Sequence, residues 1–238
     1  MAKAAFIPRN AANYLLDSLP ETERRDLARL LEKVEVEPGQ RIYRQGRPID
    51  YVYFPTSAIL SWTGMTRQGE RAEVGMVGWE GMLGMSHLAG FDASPFDAEV
   101  AIAGEALRAQ ASRVREKFER LVSLQNLLLR YTCSSLTQLA QSSLCGLYHT
   151  VDQRLCRWLL TAHDRVRSDE LAFTQDTLAG MIGARRPTVS IAAGALQKAG
   201  LIRVNRGRVT LVDRTGIEVI VCDCYWVIRR ALGIFLEA

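Results

Sequence analysis

Short apolar runs separated by turn residues dominate the first half of the chain. Ten of the 18 glycines lie within residues 36–110, and short runs with frequent Gly and Pro turns are typical of antiparallel β-structure. The apolar runs lie at residues 41–43, 51–54, 58–62 and 73–77. This part of the chain is therefore predicted to form a β-barrel or jelly roll.

A helical pattern precedes these runs, within residues 13–34. Pro20 and Glu21 form a helix start. The apolar residues that recur on one helical face are Leu27, Leu30, Leu31 and Val34. We therefore expect an amphipathic helix before the β-region.

The central part of the chain has a helical texture. Residues 105–179 contain one glycine and no proline, and leucines recur at helical spacing from Leu121 to Leu147. The pattern predicts a long helix that is apolar on two sides, so it needs two partners. We expect one partner to be a second copy of the chain, in a homodimer. Burial of the helix within one subunit is the alternative.

A second, shorter helix is predicted over residues 151–164. Its buried face would consist of Leu155, Trp158, Leu159 and Leu160. This helix would be the first of the C-terminal domain.

Two further helices separated by a tight turn are predicted next. Thr174 is a good N-cap, and Leu178, Met181 and Ile182 follow at helical spacing. Gly183 supplies the turn. A second helix begins around Pro187, which suits a first helical turn, and stops at Gly200.

A hairpin pattern follows these helices, and the whole segment is basic. Two β-branched runs at 201–204 and 209–212 surround a short turn that carries arginines. Residues 174–214 hold seven Lys or Arg against two Asp, a net charge of +5, whereas the whole chain carries +4. Positive charge is thus concentrated where DNA phosphates would lie. A solvated basic surface used for protein contacts is the alternative.

We predict a set of DNA-binding residues in this helix-turn-helix and its wing. Arg185 or Arg186 suits the O6/N7 edge of a guanine, and the others suit phosphates. The set is Thr174, Gln175, Arg185, Arg186, Thr188, Ser190, Arg206 and Arg208.

Composition limits the remaining possibilities. At 238 residues and 48% hydrophobic content, the chain is long enough for one large domain or two of ordinary size. No apolar run approaches the ~20 residues of a membrane span, and the first residues lack the apolar core of a signal peptide. Five cysteines form an odd set without disulfide spacing. We therefore expect a soluble, cytoplasmic protein without a membrane partner.

The order of these parts resembles the CRP/FNR family of bacterial transcription regulators. The segments of this chain that carry the resemblance most specifically are residues 151–160, 174–179, 183–190 and 199–202. The resemblance covers nearly the whole chain and implies an α+β fold of three parts. These are a cyclic-nucleotide-binding-like β-roll with an N-terminal helix (1–110), a long dimerisation helix (111–148) and a winged helix-turn-helix with a C-terminal helix (149–238).

The resemblance also implies partners. The helix at residues 187–197 would enter the major groove of double-stranded DNA, and a homodimer would read a pseudo-palindromic operator. RNA polymerase is a further implied partner. Many family members carry Arg-Glu-Thr-Val at the start of this helix, whereas this chain has Arg186, Pro187, Thr188 and Val189. The glutamate that contacts a DNA base in those family members is replaced by Pro187, so we do not expect the usual target sequence of the family.

The effector positions of the family are also altered. Cyclic-AMP-binding members hold the ribose with a Gly-Glu pair and the cyclic phosphate with an Arg-Ser pair. The corresponding stretches are 83–85 and 93–95, so Met85 replaces the carboxylate and the arginine is absent. A buried phosphodiester without a cation carries a heavy desolvation cost, which argues against cyclic AMP.

A small-molecule effector of other chemistry remains open. Its candidate pocket residues are Trp79, Glu80, Met85, Ser94 and Leu139, although residues 79–82 also suit a simple turn. A dimer that is aligned without any effector is equally consistent with the sequence.

Ligands for cofactors and metals are sparse. The first cysteine is Cys133, so the N-terminal iron–sulfur cysteines of the oxygen-sensing branch are missing. His87 is the only histidine of the β-domain. A cupin-like metal enzyme needs two or more histidines. A single histidine in this position is more often a turn or core residue than a haem ligand. On one helix, Cys222 and Cys224 would point about 200° apart, which disfavours chelation by both.

We therefore expect no cofactor, no metal and no enzyme activity. The rival interpretation is a ligand-binding or scaffold module without a DNA function, and it predicts no affinity for DNA.

Overall fold

The computed structural model describes residues 12–166, 168–173 and 175–237 of the chain. The N-terminal elements are α1 (Tyr14–Asp17), α2 (Glu21–Ala28), β1 (Glu32–Val36), β2 (Arg41–Tyr43), β3 (Tyr51–Pro55), β4 (Ile59–Met65), β5 (Arg71–Val77), α3 (Met85–Leu88), β6 (Asp97–Ile102), β7 (Gly104–Gln110) and α4 (Ala111–Phe118). The later elements are α5 (Val122–Tyr148), α6 (Val151–His163), β8 (Glu170–Ala172), α7 (Gln175–Ile182), α8 (Arg186–Lys198), β9 (Ile202–Asn205), β10 (Arg208–Leu211), α9 (Arg214–Ile220) and α10 (Asp223–Leu236).

Two antiparallel sheets form the N-terminal β-roll. One sheet has the strand order β1-β7-β3 and the other β2-β6-β4-β5. Their inward side chains share one apolar core, against which the first half of α5 also packs. The long helix α5 leads to α6 and the winged helix-turn-helix, so the predicted α+β fold is confirmed.

The four-stranded sheet is buried on both faces. Leu60 and Val77 face the core of the β-roll, whereas their neighbours Ile59 and Met76 lie in the core of the C-terminal domain. Successive side chains of a strand point to opposite faces, so a sheet between two cores needs apolar residues at consecutive positions. This double burial joins the β-roll to the C-terminal domain.

A buried ion pair crosses the same boundary. The guanidinium Nε of Arg165, just after α6, lies 2.7 Å from Oε1 of Glu80 in the β-roll, and both side chains are buried. Arg165 also donates to the carbonyl of Thr161 at 3.1 Å and to Oε1 of Gln138 on α5 at 3.3 Å. The amide of Gln138 donates to the carbonyl of Met76 at 2.9 Å. The network therefore fixes β5, α5 and α6 relative to one another.

The predicted N-terminal helix is shorter than expected. Helix α2 ends at Ala28, and Leu30 and Leu31 follow it while still packing against the core. Val34 lies in β1, opposite Ala106 of β7. The alternation of charged residues with Val34 and Val36 suits a half-buried strand, so the placement of Val34 on the helix is wrong.

The helical texture from residue 105 is also interrupted by a strand. Strand β7 pairs with both β1 and β3, although Glu105, Ala106 and Leu107 are good helix formers. Pairing on both edges outweighs intrinsic propensity here. Helix structure begins at Ala111, and the region then divides into α4 and the long helix α5.

Helix α6 agrees with its prediction, because Leu155, Trp158, Leu159 and Leu160 are all buried. Strand β8 was not anticipated; it adds a third strand to the C-terminal hairpin by pairing with β10. Among the described residues, no helix combines the length and the hydropathy needed to cross a membrane.

Removing the buried cation should destabilise the protein strongly. Arg165→Met leaves the Glu80 carboxylate buried without its cation, which costs about 3–5 kcal/mol of unfolding free energy. The matched control is Lys33→Met, which breaks an exposed ion pair with Glu105 that should be worth about 0–1 kcal/mol. Urea unfolding measures both, and an equal small loss for the two variants would contradict the anchoring role of Arg165.

A second prediction concerns pH and the buried Glu73 of β5. Its Oε2 accepts hydrogen bonds from the Ser61 hydroxyl at 2.5 Å and from the Trp158 indole at 3.2 Å. Burial raises the pKa of Glu73 above its ordinary value. A carboxyl with a raised folded pKa stabilises the fold at low pH and loses that contribution as pH rises through the folded pKa.

Glu73→Gln should therefore gain stability relative to wild type as pH rises from about 4.5, the ordinary carboxyl pKa, towards about 8. The glutamine stays neutral and can still accept both hydrogen bonds. Urea unfolding across this range tests the trend, with the exposed Glu37→Gln as a control that should show no such gain. A stability difference that does not change with pH would rule out the raised pKa.

Candidate nucleic-acid interface

Helices α7 and α8 form the predicted helix-turn-helix. Leu178, Met181 and Ile182 are buried as expected. Gly183 between the helices has φ +61°, a conformation that favours glycine, and an added Cβ would lie 3.1 Å from the Cβ of Ala72. A side chain at this position would therefore be strained and would crowd the β-roll.

A side chain of α6 holds this turn. The guanidinium of Arg154 donates to the carbonyl of Gly183 at 2.8 Å and also to the carbonyl of Ile182. These carbonyls lie at the end of α7, where no further helical amide is available to them. The turn is therefore fixed from two sides, by α6 and by the β-roll.

Helix α8 has one buried and one exposed face. The buried face consists of Val189, Ala192, Ala193 and Leu196. The other positions of α8, apart from the half-buried Ser190, are exposed: Arg186, Pro187, Thr188, Ile191, Gly194, Ala195, Gln197 and Lys198. The side chain of Ile191 is 73% exposed, so an aliphatic group stands at the centre of the outward face.

The predicted base-reading residues lie at the start of α8. Arg185 is the N-cap and, like Arg186 and Thr188, is exposed. The Nε of Arg186 lies 3.2 Å from the carboxylate of Asp176 on α7, and both side chains are more than half exposed. Such a pair is weak in water, so Arg186 remains accessible to another partner.

The remaining predicted residues of the two helices have different positions. Ser190 is half-buried, and its hydroxyl donates to the carbonyl of Arg186 at 3.1 Å within the same helix. Thr174 lies outside the described residues, as does the side chain of Gln175, the first residue of α7.

The wing is the hairpin of β9 and β10. Its tip is Arg206 and Gly207, with φ of +34° and +81°, as two-residue hairpin turns of type I′ require. A positive φ is uncommon for an arginine, and Arg206 lies exposed at the tip of the turn. Arg208 is exposed and forms an ion pair with Glu170 of β8.

One arginine of the basic segment does not belong to this surface. Arg214 is half-buried and lies 2.7 Å from Asp164 and 2.9 Å from Glu218, and it donates to the Tyr225 hydroxyl at 2.6 Å. Counting it as a DNA-facing charge is therefore wrong, because these partners already neutralise it. The basic side chains that remain exposed are Arg185, Arg186, Lys198, Arg203, Arg206 and Arg208.

In the part of the chain that the structure describes, the five candidate effector residues line no common cavity. Met85 and Ser94 line a cavity of about 70 Å³ beneath Trp62 and Phe96. Pockets for small-molecule ligands usually measure about 300–1,000 Å³, so this cavity is too small for a nucleotide.

The other three candidates are occupied by structural contacts. Glu80 is bound to Arg165. The buried Trp79 donates its indole N–H to the carbonyl of Asp164 at 3.4 Å, and Leu139 packs against the apolar core. Residues 79 and 80 form a turn, which agrees with the simpler interpretation of residues 79–82.

A larger open cleft of about 960 Å³ lies elsewhere, between the β4–β5 hairpin and the turn after α7. Met65 and Arg71 line it from the β-roll, and Ala179, Gly180 and Arg185 line it from the helix-turn-helix. Sequence patterns could not reveal it, because its two walls are about 110 residues apart in the chain and carry no shared motif.

Comparison with known proteins agrees with this architecture. Residues 153–220 match the family model of the Crp-like helix-turn-helix domain, and no curated protein matches the chain. A similar solved structure is FixK2 from Bradyrhizobium japonicum, at 17% identity and a TM-score of 0.69, covering 81% of this chain and 98% of that one.

Two further structures have the same fold. A putative transcriptional regulator of the Crp/Fnr family from Eubacterium rectale is 16% identical, with a TM-score of 0.65 and coverage of 87% of this chain and 96% of that one. The c-di-GMP-responsive regulator CLP from Xanthomonas campestris is 17% identical, with a TM-score of 0.59 and coverage of 81% and 99%. Residues 153–220 thus form a helix-turn-helix domain of the Crp-like family, and the chain as a whole has the fold of the CRP/FNR transcription regulators.

Proposed function

We propose that the protein is a transcription regulator, not an enzyme, that binds specific DNA sequences as a homodimer in the cytoplasm. The observation that carries this proposal is the exposed surface at the start of α8 and the tip of the wing. Six exposed basic side chains lie on α8, its N-cap and the wing hairpin, without a buried ion-pair partner among the described residues. Such a surface binds phosphates by releasing counterions.

Base recognition would involve α8 in the major groove. Arg185 and Arg186 at its start can donate to guanine O6 and N7. Ile191 can contact a thymine methyl group, and no acidic side chain lies among the exposed residues of α8 that the structure describes. We therefore expect a recognition sequence with guanine and thymine contacts and without an acid-to-cytosine contact.

Dimerisation would involve the face of α5 that the β-roll leaves uncovered. Two interleaved series with a seven-residue spacing lie on this exposed face: Val122, Leu129 and Leu136, and Cys133, Ala140 and Leu147. Together the two series place a residue every three or four positions, as in Leu129, Cys133, Leu136 and Ala140. This is the pattern of a two-stranded coiled coil. Leu129, Leu136 and Leu147 are 66%, 58% and 76% exposed in the single chain, and an apolar stripe of this length favours a partner.

The pair of α5 helices would place two α8 helices on half-sites of a pseudo-palindrome, about one helical turn apart. An effector, if the protein uses one, would act by differential affinity for the aligned dimer, and RNA polymerase would be the partner at the promoter. The small cavity at Met85 and Ser94 supports an effector other than cyclic AMP, or none.

Selection from a random duplex library tests the proposal directly. Purified ligand-free protein should enrich a two-fold-symmetric motif with half-sites about 10 base pairs apart. Weak, strongly salt-dependent binding without an enriched motif would mean that the ligand-free protein lacks an effector, whereas no affinity for DNA even at low salt would contradict the proposal and favour a ligand-binding or scaffold module. The same selection is repeated with a monomeric variant.

Leu136→Glu provides that variant, because it places a charge at the centre of the α5 stripe. It should be monomeric in light scattering and should lose the symmetric motif. The control is Val219→Glu on another helix, α9, where the original valine is 79% exposed. A Leu136→Glu protein that remains dimeric would show that the dimer, if any, uses another surface.

Arg186→Ala tests base recognition. It should weaken binding to the selected site by about 1–3 kcal/mol and relax the preference at one base pair. Arg29→Ala, at an exposed position after α2, is the matched control and should leave both unchanged. An unaltered preference at every base pair of the site would exclude a reading role for Arg186.

A further inference from the structure

Four potential metal ligands converge where α5 ends and α10 begins. They are Cys145, His149, Cys222 and Cys224, and their ligand atoms all lie within 4.8 Å of one another. The three cysteines are buried and the histidine is half-buried. The Sγ atoms of Cys145 and Cys222 are 3.6 Å apart, and Sγ of Cys224 lies 3.5 Å from Nδ1 of His149.

Backbone geometry explains how residues so distant in sequence come together. Cys145 and His149 lie one helical turn apart at the end of α5, where His149 is the C-cap. Cys222 is the N-cap of α10, with extended dihedral angles of φ −73° and ψ 160°, and Cys224 lies in the first turn. The expectation that the two cysteines diverge by about 200° is therefore wrong, because it required both to be helical.

Two of the six ligand–ligand distances match those of a tetrahedral zinc centre, and all six lie within 4.8 Å. Zinc bonds of about 2.3 Å to sulfur and about 2.05 Å to nitrogen place tetrahedral neighbours about 3.8 Å apart for two sulfurs and about 3.6 Å apart for sulfur and nitrogen. The observed separations of 3.6 Å and 3.5 Å are close to these values. A disulfide would use only two of the three thiols and would leave the third thiol and the imidazole without a role.

The surroundings supply the compensating charge. Arg157 of α6 is only 5% exposed, and its Nε donates to Sγ of Cys145 at 3.2 Å. Arg157 also interacts electrostatically with the buried carboxyl of Glu73, whose pKa is raised by its burial. A divalent ion with three thiolates and a neutral imidazole carries one net negative charge, which the buried guanidinium of Arg157 would balance. Its hydrogen bond to Cys145 is of the kind by which residues outside the ligand set orient metal ligands.

We propose that Cys145, His149, Cys222 and Cys224 form a closed structural site for one zinc ion. Three thiolates and an imidazole prefer zinc over magnesium or calcium, and four protein ligands leave no open position for catalysis. The site joins the end of α5 to the start of α10, beside the α5–α6 junction at His149 and Thr150. Bound zinc would fix the C-terminal domain relative to the long helix, whether or not the protein binds DNA.

The first test uses the reduced, full-length protein. Elemental analysis should find about one zinc per chain, and Co²⁺ added to the zinc-free protein should produce the strong visible absorption of a tetrahedral thiolate site. Absence of that cobalt spectrum in fully reduced wild-type protein would overturn the proposal. The proposal would also be overturned if the protein takes up no metal and Cys145 and Cys222 form a disulfide on mild oxidation.

Variants then assign the ligands. Cys224→Ser should lose the tetrahedral cobalt spectrum, while Cys156→Ala removes a buried thiol outside the cluster and should retain it. Chelation of zinc should lower the melting temperature of wild type by roughly 10 °C and leave that of Cys224→Ser unchanged. An unaltered cobalt spectrum in Cys224→Ser would remove this residue from the site and overturn the four-ligand proposal.

Discussion

The buried ion pair between Arg165 and Glu80 is the contact on which the relative position of the two domains depends. A charge of either sign alone at this depth would be strongly destabilising, so neither side chain tolerates separation from the other. Gln138 connects the pair to α5 and to the strand β5. The β-roll, the long helix and the winged helix-turn-helix domain are therefore coupled through this network.

The apolar packing around this ion pair has the same consequence. Strands β4 and β5 contribute alternate residues to both cores, and Ala72 of β5 closely approaches Gly183 in the helix-turn-helix. A displacement of the β5 strand would therefore reach the turn before α8 directly. The proposed zinc site constrains the same domain from the opposite end, at the junction of α5 with α10.

The candidate DNA surface was predictable to a large degree, because its residues are local. A helix N-terminus, a tight turn and a hairpin tip are set by neighbours in sequence, and Arg185, Arg186, Thr188 and Arg206 are exposed as expected. The exceptions depend on distant partners. Arg214 is neutralised by Asp164, 50 residues earlier, and the candidate effector residue Glu80 is bound by Arg165, 85 residues later.

The sequence by itself determined the order of the domains, most of the helices and the basic helix-turn-helix, because hydrophobic period and turn chemistry are local properties. Tertiary structure alone decided that β7 is a central strand despite its helix-forming residues, since pairing on two edges outweighs propensity. It also decided that Cys222 lies outside α10 and faces Cys145. No pattern could indicate that meeting, because it depends on how two helix ends 77 residues apart pack against each other.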